Sequence, residues 1–161
     1  MKAFTDLGVF GAFLAARAVE VEHAAHSALE HGAAVVRDEA RLRIGTYQSE
    51  VGGFAEWSSL TEATQRERVR LGYSPDDPLL RSGDLRKAIT SQREGNEAAA
   101  GVLQEASGAD GRNLGNIAIW QELGTARIPP RAFLGPAGFV KADTVAELIG
   151  KAVTQSLAGK E

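Results

Sequence analysis

Three histidines fall within nine positions, His23, His26 and His31, interspersed with Glu22 and Glu30. On a helix His26 stands one turn from both glutamates, and imidazole with carboxylate at that spacing is a donor set that zinc or a similar ion accepts. No second cluster in the sequence completes such a site, so we read these residues as the polar surface of a solvated helix and expect no metal. Cysteine is absent, which excludes thiol nucleophiles, disulfides and zinc–thiolate centres and fits folding in a reducing compartment. Asp76 and Asp77 sit between Pro75 and Pro78, where turn formation accounts for both. Glu122 follows Trp120 in an apolar segment. A buried carboxylate there would suit acid–base work, and it would equally suit holding a backbone segment or an arginine in place. No partner base or nucleophile stands out, and the chain has no Gly-x-Ser-x-Gly elbow, phosphate-cradling loop or dinucleotide fingerprint. The expectation is a non-enzymatic protein without a cofactor.

The elements that must position these residues are helical at both ends. Phe4, Leu7, Phe10, Phe13 and Leu14 recur at helical spacing, predicting a short amphipathic helix or a capped turn leading into one. From Val19 to Ile44 a firmer stripe follows, through Val21, Ala25, Ala28, Leu29, Gly32, Val35, Val36 and Ala40. Glu20, Glu22, Arg37, Asp38, Arg41 and Arg43 are assigned to its opposite face, and Gly45 to its end. Residues 46–58 are expected to be irregular. Ser59-Leu60-Thr61-Glu62 reads as a capping box opening a polar helix to Arg70 or Leu71, and residues 73–78 as a turn.

Asp84 is placed to cap a brief helix that gives way to strand, Glu97–Gln104 to form a second strand, and residues 107–113 a loop. The apolar segment Asn116–Leu123 is closed by Gly124. Pro129 and Pro130 force residues 128–134 to be extended. A last helix starts at Pro136 or Ala137 and runs through Leu157, with Phe139, Val140, Val145, Leu148, Ile149 and Val153 on its buried side. The fold class expected is α+β: a long N-terminal helix and a C-terminal helix packed on a small, mostly antiparallel sheet, in one domain spanning residues 1–161.

The chain is 43% hydrophobic, enough for a core, and its net charge of −3 lacks the basic excess that gripping duplex DNA requires. Neither a basic n-region with a cleavage site nor an apolar run long enough to span a bilayer is visible, so a soluble, cytoplasmic protein without membrane contact is expected.

Two stretches stand out, Leu79–Ile89, containing Ser82-Gly83-Asp84-Leu85-Arg86, and Ile117–Ala137, containing Glu122-Leu123-Gly124-Thr125 and Pro129-Pro130-Arg131-Ala132-Phe133-Leu134. In this order they resemble the paired signatures of phage head–tail joining and tail-component proteins: Gly-x-Leu-Arg, then Ala-x-x-x-Glu-x-Gly-Thr, then Pro-Pro-Arg-x-Phe-Leu-x-Pro-Ala. That family includes the neck protein of lambda-like siphophages and the Mu-type virion morphogenesis (tail completion) proteins. Trp57-Ser58-Ser59-Leu60-Thr61 with Thr64 is similar to the Mu-type branch. The resemblance covers residues 20–150, and Ala132 departs from it where the family usually has Pro.

The resemblance implies a structural virion subunit that closes into a ring, a hexamer, around the DNA channel of the neck. Its partners would be connector or stopper proteins on the head side and tail terminator or tail tube proteins on the tail side. DNA would pass through without sequence-specific binding. Assembly would take place in the host cytoplasm. A tail terminator capping the tube, and a small morphogenesis enzyme, are the rival readings. Interface candidates are Gly83, Leu85, Arg86, Glu122, Gly124, Pro129, Pro130, Arg131, Phe133 and Leu134. Phe133 and Leu134 would anchor their segment either in the core or in a groove on a neighbouring subunit, and residues 46–58 and 107–115 are candidates for ordering on docking.

Overall fold

The computed structural model describes residues 6–158; Phe4 lies outside the described residues. Helix α1 runs unbroken from Leu7 to Arg43, so the two N-terminal helical segments expected from the sequence are one. Ala15, Ala16 and Ala18 join them, and alanine is the strongest helix former. The Asp6 carboxylate caps the start, accepting the N–H of Gly8 at 2.6 Å and of Val9 at 3.1 Å. The helix stops at Ile44, after which Gly45 turns to φ 105° and donates its N–H to the Pro78 carbonyl at 2.9 Å.

The last helix, here α5, spans Leu134–Ala158 and lies antiparallel along α1. Lys141 pairs with Glu39 at 3.3 Å, Val145 meets Gly32, and the Ser156 carbonyl accepts from Arg17 at 3.4 Å. A Cβ on Gly32 would stand 2.9 Å from Val145, so glycine sets how closely the two helices approach. Phe139 and Val140, expected on the buried side of this helix, are 57% and 42% exposed. The residues buried at its start are Pro136 and Ala137, because that turn faces the core around Phe133. Val145, Leu148, Ile149 and Val153 are half-buried, since α5 is covered chiefly on the side that meets α1.

Between these helices the chain forms a hairpin, β1 (Ile89–Glu94) and β2 (Glu97–Val102), antiparallel from Ile89↔Val102 to Glu94↔Glu97 and turning at Gly95-Asn96. The expected α+β class and small antiparallel sheet are present, the sheet having two strands. The hairpin rests on α1, and cations assigned from sequence to a solvated face attach it there. Arg41 donates to the Ile89 carbonyl at 2.6 and 3.0 Å, Arg37 to the Ser91 hydroxyl at 3.1 Å, and Arg93 reaches back to Glu30 at 2.8 Å. Arg43 is also on the inner side, 8% exposed and paired with Glu39 at 3.1 Å.

Three short helices complete the fold: α2 (Glu62–Arg70), α3 (Asp84–Ala88) and α4 (Leu114–Leu123). Helix α2 is capped by Thr61 rather than Ser59, the Thr61 hydroxyl accepting the Thr64 N–H at 3.3 Å. Ser58 and Ser59 cannot join the helix because their carbonyls accept from the Arg131 guanidinium. Helix α4 opens at the Asn113 side chain, which takes the Asn116 N–H at 2.6 Å. Its Gly115 lies flat against the backbone of Gln104, where a Cβ would come within 2.7 Å. The core is Ala40, Ile44, Trp57, Leu85, Ile89, Ala118, Phe133 and Ala137. Residues 46–58, though irregular, are tied into it: Trp57 is buried and donates its indole N–H to the Ala132 carbonyl at 3.0 Å.

Candidate functional site

The two sequence signatures come together around one groove of about 370 Å³. Its walls are Thr61 to Arg68 on the α2 side, residues 81–85 entering α3, the Leu114–Ile117–Gln121 face of α4, and residues 127–131.

Each wall is fixed by local chemistry. Gly83, at φ 83°, is the residue before α3 and makes the left-handed turn that side chains disfavour. Asp84 opens α3 and also receives the Ala109 N–H at 3.1 Å, tying the 103–113 connection to this wall. That bond, with the Ser82 hydroxyl and the Lys87 charge adding to it, holds the Asp84 carboxyl below the ordinary carboxylate range. On the opposite wall Gly124, at φ 75°, ends α4 where a Cβ would stand 3.0 Å from Pro130. The chain thereby doubles back, and Arg131 N–H donates to the Gln121 carbonyl at 2.6 Å.

Glu122 has a definite role. Its carboxylate accepts the backbone N–H groups of Phe133 at 2.8 Å, Leu134 at 3.0 Å and Gly135 at 2.7 Å. Those are the unsatisfied donors that open α5, so a side chain from α4 serves as the N-cap of another helix. Of the two roles the sequence left open, holding a backbone segment is the one that the contacts describe.

The groove is rich in guanidinium groups: Arg68, Arg81, Arg112, Arg127 and Arg131 line it, against the two carboxylates Asp84 and Asp110. Arg81 and Arg112 each pair with Asp110 at 3.4 Å, and Arg81 also stacks on the Tyr73 ring at 5.2 Å. Arg68 and Arg131 are 8% and 7% exposed. Arg68 donates to the Asp77 carbonyl at 2.7 Å, and Arg131 to the Ser58 carbonyl at 2.9 and 3.3 Å. Neither is paired with a carboxylate among the described residues, and burial lowers the pKa of both from the ordinary arginine value. The Arg127 side chain has no partner among the described residues.

The interface candidates divide into two groups. Gly83, Leu85, Pro129 and Arg131 line the groove, and Arg86, Pro129 and Pro130 are exposed. Leu85 and Phe133, at 7% and 0% exposure, belong to the subunit's own core, and Leu134 is half-buried. Of the two anchorages considered for Phe133, the core is the one occupied. The extended Pro129-Pro130 segment delivers its side chain there, so Phe133 offers no surface to a neighbour. On α4 the large side chains of Ile119, Trp120 and Leu123 are 47%, 48% and 75% exposed. At spacings of three and four, Trp120 and Ile119 each neighbour Leu123, forming an apolar strip on the helix that carries Glu122.

Sequence reading missed the arginine cluster, because Arg68, Arg81, Arg112 and Arg127 are scattered over 60 positions in a chain of balanced charge. One signal was available: the cations are 13 arginines and 5 lysines, a bias toward the side chain that tolerates burial and binds carboxylates in a fixed fork. The His23, His26 and His31 region carries no metal-ligating group of three among the described residues, and His26 is bonded to the Asn96 amide at 2.7 Å. No described helix is long and apolar enough to cross a membrane. Compared with known proteins, the chain matches no family model, no curated protein and no solved structure.

Proposed function

We propose that this chain is a structural subunit of a tailed phage or phage-like particle, closing into a ring at the head–tail junction around the DNA channel. The observation that carries the reading is the exposed apolar strip of Ile119, Trp120 and Leu123 on α4, within the second of the two stretches that resemble neck proteins. An isolated subunit gains nothing by presenting a half-exposed tryptophan beside two aliphatic side chains, whereas a self-closing heterologous interface buries such a strip once in every copy. The stiff elements on either side suit that use. Glu122 locks α4 to α5, and Pro129-Pro130 stiffens the extended segment that leads into α5. Head-side connector and tail-side terminator or tube proteins are the proposed neighbours of the two ring faces, and DNA the passing cargo.

Electron microscopy of particles assembled without the chain is the test. Separate filled heads and finished tails are expected. Overlong tails would assign the terminator role instead, and normal infectious particles would end the proposal.

A further inference from the structure

The arginine-lined groove has a property that a ring interface does not require. Most cations among the described residues are matched, for example Arg17 by Glu20, Arg37 by Asp38, Arg43 by Glu39 and Arg93 by Glu30. Around the groove the matching is incomplete, since Arg81 and Arg112 share Asp110 while Arg68, Arg127 and Arg131 have no ion pair among the described residues. Five guanidinium groups face two carboxylates, in a chain whose net charge is −3. The two deepest, Arg68 and Arg131, donate to backbone carbonyls and have no carboxylate in ion-pair contact among the described residues, the nearby Asp77 charge acting on Arg68 from beyond contact. A guanidinium has five N–H donors. Arg68 uses one nitrogen, Nη1, and Arg131 uses Nε and Nη2, so each keeps donors with no acceptor among the described residues. Burying a cation without a counter-charge is costly, and a carboxylate arriving from outside removes that cost while making short, charge-assisted bonds.

We propose that this groove is the docking site for an acidic, apolar-anchored peptide segment of a different protein, whose carboxylate lies between Arg68, Arg131 and the unpaired Arg127. Charge complementarity selects the carboxylate, and the walls select the peptide. Leu60, Leu79, Leu114, Ile117 and Ile128 give the groove an aliphatic lining that takes a neighbouring aliphatic side chain. A nucleic-acid backbone fits poorly, because its dense run of phosphates would meet Asp84 and Asp110 as well as the arginines. The volume of about 370 Å³ admits a few side chains, not a folded domain. The site stands independently of the ring reading, since it calls for a partner of defined chemistry whatever particle the chain belongs to.

The test selects random heptapeptides against the full-length protein and measures the winners by fluorescence polarisation. Controls are each winner's Glu→Gln and Asp→Asn forms, inorganic phosphate, and a short DNA duplex. The expected result is enrichment of sequences pairing Asp or Glu with Leu, Ile or Val. Their affinity should fall about tenfold or more, the equivalent of at least about 1.4 kcal/mol, in the double variant Arg112→Glu/Arg127→Glu. Both of those side chains are exposed, so melting of the variant should match the parent. Arg131→Lys, which keeps the charge and loses the fork, should weaken binding too. Failure to enrich acidic peptides overturns the proposal, as does equal binding of the neutralised peptides or tighter binding of phosphate or duplex. Dissociation of a homo-oligomer by the selected peptide would overturn the choice of a different protein as partner.

Discussion

Replacing Glu122 with alanine removes the acceptor for three backbone N–H groups at the start of α5, at 2.7, 2.8 and 3.0 Å. A single hydrogen bond to a charged acceptor contributes about 1.5–3 kcal/mol, and an ordinary N-cap about 1 kcal/mol, rising to about 2 at most. The three donors share one carboxylate, so their contributions do not add. Phe133 is fully buried, so water replaces the lost acceptor poorly at the first of them. The expected loss is about 3 kcal/mol, between one charged bond and a simple sum. At roughly 2–4 °C per kcal/mol for a chain of this size, the melting temperature should fall by about 6–12 °C. Glu122→Gln keeps one carbonyl oxygen and turns an NH2 group toward N–H donors, so it should cost about 1–2 kcal/mol. Urea denaturation followed by circular dichroism, read at constant m-value, separates the two variants. An alanine variant within about 0.5 kcal/mol of the parent would refute the capping role, and glutamine as damaging as alanine would refute the contribution of charge.

Gly115→Ala should destabilise despite the gain of about 1 kcal/mol in helix propensity, because its Cβ would stand 2.7 Å from backbone atoms of Gln104, so the chain itself must shift to admit it; overpacking of this kind costs about 1–3 kcal/mol, and a stabilised variant in thermal melts would contradict the contact. Tyr47→Phe removes an O–H donated to Asp76 at 2.6 Å and an acceptor for the Leu60 N–H at 3.0 Å, for an expected loss of about 1–2 kcal/mol in urea melts. Asp84 has a folded pKa below its unfolded value, so its stabilising contribution is complete above the ordinary carboxylate range and is lost as pH falls through the lower folded value. The protection of the Ala109 amide, taken relative to the intrinsic exchange rate at each pH, should fall over that acid range in the parent and be low throughout in Asp84→Ala; parent protection that does not change with pH would contradict the bond. If the chain closes into the proposed ring, Trp120→Glu should leave the fold intact by circular dichroism and abolish the oligomer that the parent forms in sedimentation velocity; an oligomer that survives, or a parent that is monomeric, would remove the α4 strip as a ring contact.

What the sequence revealed and what it concealed follow from how local each cause is. Helix α1 was legible from Val19 onward because its stripe repeats over many turns, and the break before it disappears because alanine neither marks nor ends a helix. Of the 89–102 hairpin the two strand segments were readable, but the Gly95-Asn96 turn that pairs them was not, and the hairpin-like loop was expected at residues 107–113 instead. Helix α4 was undetermined: Ile117, Ile119, Trp120 and Leu123 satisfy neither period cleanly, since one part of them packs inward and another is exposed. The N-cap of α2 was misplaced by two residues because a distant guanidinium, Arg131, occupies the Ser58 and Ser59 carbonyls. The groove was invisible for the same reason. Its cations are separated along the chain and become neighbours only when α2, α3 and the 127–131 segment are packed together.

The lopsided pairing of the two long helices gives the protein two tiers of cohesion. Within the described residues α5 accompanies α1 from about Arg17 onward, so the turns before it overhang, with Leu7, Val9 and Leu14 exposed at 89%, 60% and 50%. A free helical stretch of that length is marginal in water. Deuterium should therefore enter the Leu7–Leu14 amides long before it reaches those around Ala40, and opening this end leaves the Phe133 core untouched. The overhang can be reshaped by whatever meets it at little thermodynamic expense to the rest of the molecule.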